Sequence, residues 1–175
     1  MKYYLLILIS LICGGCSSAT IAPNESIKIF PTVTATRLSG ESIKIPDDLS
    51  GNPAILLIGY EQKAQFDIDR WLLGILDSSI SATVIELPTI KGMIPGALSE
   101  LIDNGMRSGI PKEDWYSVAT VYDDAETIIN AVGNERPRSA HVILLNKEGE
   151  ILWNYYDGYS ARVMLELKEK VKNLS

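Results

Sequence analysis

Residues 53–59 (PAILLIG) form a short, unbroken apolar run, and residues 60–65 interrupt it with polar side chains. From residue 66 to residue 80 the apolar positions recur at helical spacing. Ile68, Trp71, Leu72, Ile75 and Leu76 stand at i, i+3, i+4, i+7 and i+8, which is one face of a helix. A continuous apolar run ahead of such a helix predicts a buried strand that feeds it. The alternation continues down the chain. Residues 82–87 (ATVIEL) predict a strand stopped by Pro88. Leu98, Leu101, Ile102 and Met106 predict an amphipathic helix that ends near residues 107–109. Residues 116–122 predict a strand, and Ala125, Ile128, Ile129 and Val132 a short helix for which Asp123 and Asp124 are candidate caps. Residues 140–145 (AHVILL) and 150–156 predict a hairpin that turns on Asn146-Lys147-Glu148-Gly149, with glycine where positive φ is needed. The last helix spans 161–174, with Met164, Leu167, Val171 and Leu174 inward.

Ahead of the buried strand the pentapeptide ESIKI occurs twice, at 25–29 and 41–45. Five residues are too few for a repeat architecture. Both copies predict half-buried strands with Ile in and Lys out, and residues 32–45 predict a hairpin. The whole order is β-hairpin, β, α, β, α, β, α, β-hairpin, α. It predicts an α/β fold of three layers, α/β/α, around a mixed central sheet with an N-terminal β-hairpin and a C-terminal helix. The chain has 175 residues, enough for one domain.

The first residues read as an address and not as part of that fold. Lys2 precedes a ten-residue apolar stretch at 3–12, shorter than a bilayer span requires. Cys13-Gly14-Gly15-Cys16 follows and resembles a bacterial lipobox, with Cys13 where leucine is usual. The resemblance implies a signal peptide at 1–15, lipidation of Cys16, a tether at 16–24 and a domain at 25–175. It implies a membrane anchor at the cell envelope, and Ser17 points to the outer membrane, facing the periplasm, in a diderm host. The same four residues spell C-x-x-C, but they close a hydrophobic leader instead of linking a strand to a helix. Net charge is −6. An acidic chain with scattered cations is a poor partner for phosphate backbones, so no nucleic acid is expected.

Asp48-Leu49-Ser50-Gly51 before the apolar strand and the hairpin Leu144-Leu145-Asn146-x-x-Gly149-x-Ile151 resemble the peroxiredoxin and periplasmic thiol-disulfide branch of the thioredoxin superfamily. That resemblance implies a redox site between the strand at 53–59 and the following helix. Here the junction reads Gly59-Tyr60-Glu61-Gln62-Lys63-Ala64-Gln65, without cysteine, and Ala140 stands where those enzymes place a proline. Gly105-Met106-Arg107, Ile110-Pro111, the strand ending in Tyr122, Ile151-x-Trp153 and Gly158 are similar to the mitochondrial ATP synthase assembly-factor family. That family implies chaperoning of a membrane-complex subunit.

Candidate chemistry is sparse. His141 is the single histidine, and a hydrolase triad or a metal site needs more partners than one. The bland reading of His141 is a strand-end core residue, of Glu61 and Gln62 a solvated helix start, of Arg107 a structural ion pair, of Asp123-Asp124 a cap. The functional reading gathers Tyr60, Glu61, Gln62, Arg107, Arg138 and His141 as a surface for a protein partner. Trp115, Trp153 and Tyr155-Tyr156 read either as core or as an aromatic binding surface. No phosphate-binding loop, dinucleotide fingerprint or nucleophile elbow occurs, and no cofactor or metal is expected. The chain thus reads as a redox-inactive, non-catalytic envelope lipoprotein that binds a protein. The alternatives are a small-ligand binding module and a thiol-independent enzyme of the peroxiredoxin or oxidoreductase kind.

Overall fold

The computed structural model describes residues 29–92 and 95–174. The signal peptide, Cys16, the tether and all but the last residue of the first ESIKI copy lie outside the described residues.

The buried run is strand β3 (Ala54–Gly59), and it is central. It pairs in parallel with β4 (Thr83–Pro88) and antiparallel with β6 (His141–Leu145). A hairpin adds β7 (Ile151–Tyr155), giving the order β4-β3-β6-β7. The N-terminal hairpin, β1 (Val33–Arg37) and β2 (Ser42–Ile45), pairs instead with the two-residue strand β5 (Ala119–Thr120) in a second sheet, β2-β1-β5. Parallel bridges Glu86–Val118 and Thr89–Val121 lay the β5 segment along β4, so the two sheets meet edge to edge. The strand expected over 116–122 is therefore short, because its length is divided between two partners.

Strand alternation sends side chains to two cores. Leu56, Ile58, Ile85 and Ile143 point to one face with the hairpin residues Val33 and Ile45 and with Ile128 of α3 (Ala125–Val132). Ile55, Leu57, Val142 and Leu144 point to the other, against Ile68, Trp71 and Ile75 of α1 (Gln65–Asp77) and Val163, Met164 and Leu167 of α4 (Ala161–Lys172). The layers are thus α3 with the hairpin, sheet, and α1 with α4, the expected α/β/α order. Gly149 turns the β6–β7 hairpin at φ +80, and a Cβ there would lie 2.6 Å from Pro46 Cγ.

Three expectations change. Leu76 faces solvent, because α1 buries only the stripe through Ile68, Trp71 and Ile75. Helix α2 (Gly96–Gly109) leaves Leu98 and Leu101 exposed and turns the buried Asp103 inward. Polar contacts dock it: Asp103 Oδ1 lies 2.6 Å from the Tyr122 hydroxyl, and Arg107 Nε donates to the Leu38 carbonyl at 2.8 Å. Finally, Asp124 occupies the N-cap position of α3 without bonding the helix. Its carboxylate accepts the Thr34 backbone N–H at 2.7 Å, tying the hairpin down instead.

Candidate functional site

Tyr60 leaves β3, and His141 begins β6, the neighbouring antiparallel strand, directly opposite Ile58. Their side chains point to the same face of the sheet. His141 is 2% exposed. Its ring meets the edge of Tyr60 at 6.4 Å and of Tyr156 at 5.1 Å between centroids. The Tyr60 hydroxyl donates to the Gly133 carbonyl at 2.9 Å, where α3 ends and the chain turns at φ +87. An aromatic plug of Tyr60, His141 and Tyr156 therefore fills the end of the β3–β6 pair.

Burial controls the chemistry of these groups. It pushes the His141 imidazole down to about 4, so the ring is neutral at ordinary pH. It raises the Tyr60 phenol, with a further push from the charge on Glu135, so Tyr60 stays protonated and donates. His141 Nε2 and Asn134 Oδ1 are buried without a hydrogen-bond partner among the described residues.

A charged rim surrounds the plug. Glu61 pairs with Arg138 at 3.4 Å, and Arg136 with Asp157 at 2.9 Å, all four largely exposed. Such pairs contribute about 0–1 kcal/mol each, so they are easily exchanged for a partner's charges. Gln62 is exposed and opens a single turn, Gln62–Ala64, that buries Ala64 and leads into α1.

The structure thus brings together Tyr60, Glu61, Gln62, Arg138 and His141. No bond among the described residues joins Arg107 to them. Arg107 holds the seam between α2 and the hairpin, bonding Leu38 and Asn104 beneath Trp115. Trp71 is buried in the α1–α4 core, with Trp153 and Tyr155 at its edge.

Two contributors escaped the sequence reading. Asp67 looks like a carboxylate suited to the α1 dipole. In the fold it is buried and accepts the backbone N–H groups of Ala140 at 2.9 Å and Tyr159 at 2.7 Å. It fixes the residue before His141 and the segment after Tyr156, and so aligns both flanks of the plug. Asn134 carries no sequence signal, since a polar residue after a glycine reads as loop. A further buried acid, Glu86 on β4, has its carboxyl raised by burial, opposed by a hydrogen bond from Gln65.

Among the described residues no group of three or more His, Cys, Asp or Glu could hold a metal ion. No helix among them is long and apolar enough to cross a membrane.

No family model matches the chain, and no curated protein matches it. Solved structures do. The chain is similar to the exposed lipoprotein thioredoxin of Streptococcus pneumoniae strain TIGR4, at 10% identity over 80% of this chain and 99% of that one, with a TM-score of 0.56. It is similar to a SCO1/SenC family lipoprotein from Bacillus anthracis, at 10% identity over 87% and 99% with a TM-score of 0.58. It is also similar to ScoI with copper bound from Bradyrhizobium japonicum, at 12% identity over 84% and 99% with a TM-score of 0.51. At these identities the likeness is one of architecture. The chain carries a thioredoxin-like fold, and an aromatic plug stands at the junction between β3 and α1.

Proposed function

We propose that this protein is a non-catalytic thioredoxin-fold lipoprotein of the cell envelope that binds a protein partner, in an assembly or chaperone-like role. Residues 1–15 are removed as a signal peptide, Cys16 is lipidated, and residues 16–24 tether the domain. Similarity to lipoproteins of the same fold supports the envelope address. Ser17 favours the outer membrane in a diderm host.

The observation that carries the reading is the plug with its rim. Rings occupy the junction, and two exposed ion pairs of mixed polarity border them. Half-buried aromatic rings inside a ring of exchangeable polar contacts, here Tyr60 and Tyr156, are what a partner can cover to make a hot spot. The docking face uses Tyr60, Glu61, Gln62 and Arg138 at the surface, and His141, 2% exposed, backs the Tyr60 and Tyr156 rings from beneath. Arg107 serves the α2 seam and is left out of it.

Copper, carried by one similar structure, does not fit here. His141 is the chain's single histidine, its neighbours are phenol rings, and of the two cysteines one falls in the signal peptide at 13 and the other is the lipid anchor at 16.

The test is site-specific photo-crosslinking in the envelope of the native host. A crosslinker at Gln62 is expected to give one discrete protein adduct, and one at the exposed Leu165 on α4 none. Equal labelling at both positions, or none at either, would overturn the reading.

A further inference from the structure

We propose that His141 and Asn134 form a subsite for a carboxamide group, of the main chain or of an Asn or Gln side chain, opened when Tyr60 swings off Gly133. The inference rests on the docking reading above and names the chemistry that the partner presents.

Two buried polar atoms near one plug lack partners: His141 Nε2 and Asn134 Oδ1. Native interiors pair such atoms, and each one left unpaired needs an account. Tyr60 links the two. Asn134 directly follows Gly133, whose carbonyl receives the Tyr60 hydroxyl, and the Tyr60 ring packs on His141. A carboxamide offers an N–H and a C=O side by side. Asn134 Oδ1 takes the N–H. The C=O accepts from a protonated Nε2, and in the other tautomer Nε2 can itself take an N–H.

The surroundings argue against an anion. Glu135 acts on both tyrosines and Asp157 on Tyr156, with Arg136 opposing at Tyr156. One hydrogen bond, of 2.9 Å, holds the Tyr60 hydroxyl over this place, while its ring packs against the core. Removing it lowers the cost of opening while keeping the ring.

The single histidine makes the test direct, because the chain has one set of imidazole nitrogen resonances. The full chain in detergent is titrated with N-methylacetamide and, separately, with acetate. A saturable shift of His141 Nε2 is expected with the amide and none with acetate. Tyr60→Phe is expected to tighten the apparent Kd about five-fold, the weight of one neutral hydrogen bond. Asn134→Ala is expected to abolish saturation with the backbone spectrum otherwise retained. A linear shift without saturation, an equal response to acetate, or a Tyr60→Phe variant with unchanged Kd would overturn the subsite. If the Gln62 adduct persists in that case, the docking reading stands without it.

Discussion

Asp67 is the most informative residue to replace. Its carboxylate takes two backbone N–H groups from segments 73 and 92 residues away, at 2.9 and 2.7 Å. Hydrogen bonds to a charged acceptor contribute about 1.5–3 kcal/mol each. The two are not equal in what their loss exposes. Ala140 is fully buried, so its N–H is stranded when the carboxylate goes. The Tyr159 N–H is only partly buried and regains water. Asp67→Ala should therefore cost about 3–4 kcal/mol, below the upper limit of two full bonds. Asp67→Asn keeps one acceptor but turns an NH2 toward the other N–H, and should cost about 2 kcal/mol. Urea unfolding followed by tryptophan fluorescence measures both, since Trp71 sits one helical turn beyond Asp67. With m near 2 kcal/mol/M, the Ala midpoint falls by roughly 1.5–2 M and the Asn midpoint by about 1 M. The His141 nitrogen resonances should shift in both variants, because Asp67 holds the preceding residue. An Ala variant within about 0.5 kcal/mol of the parent, the range of ordinary surface changes, would refute the claim that Asp67 staples α1 to β6.

Other outcomes follow from the same geometry. The His141 imidazole should titrate near pH 4 by NMR, against 6.5 unfolded. Between those values the unfolded chain binds the proton that the folded chain refuses. Stability contributed by the neutral ring is therefore lost as pH falls from 6.5 toward 4, with a slope of at most about 1.4 kcal/mol per pH unit. His141→Phe should remove that slope, and its persistence would sink the assignment. Gly149→Ala should destabilise by about 1–3 kcal/mol in thermal melts, through positive φ and collision with Pro46, and an unchanged melting temperature would contradict the turn geometry. Cys16→Ser should abolish metabolic labelling with palmitate and move the protein from the detergent to the aqueous phase on phase separation. Retained label would exclude Cys16 as the anchor.

The parts of the fold set by uninterrupted or strictly periodic apolar residues were legible from the sequence. Residues 53–59 could only be a doubly covered strand, and they lie at the centre of the sheet. Trp71 at the middle of its stripe had to be core, and it is fully buried. Gly149 after three polar residues could only close a hairpin. Periodicity misled where polar docking replaced apolar burial. Leu98 and Leu101 share an apolar face that looks inward, yet Tyr122 and Leu38 hold α2 by Asp103 and Arg107 instead. Long-range carboxylate bonds leave no local trace, so Asp67 and Asp124 read as helix-end charges. Of the candidate site, Tyr60, Glu61 and Gln62 were singled out from a junction that lacks cysteine, and His141 as the single histidine at the start of an apolar run. Asn134 and the ring of Tyr156 over His141 depend on how α3 and β7 end, which spacing does not encode.

The first described residues lie beside the β6–β7 turn, where Ile29 bridges Glu150 and the Phe30 N–H bonds the Gly149 carbonyl at 2.9 Å. His141 lies at the other end of β6, about 15 Å away at strand rise. A fatty anchor on Cys16 would grip the molecule by its foot and leave its head pointing into the surrounding space. A pull on such an anchor would reach Ile29 and Phe30, and with them the hairpin turn, before it disturbed the rings.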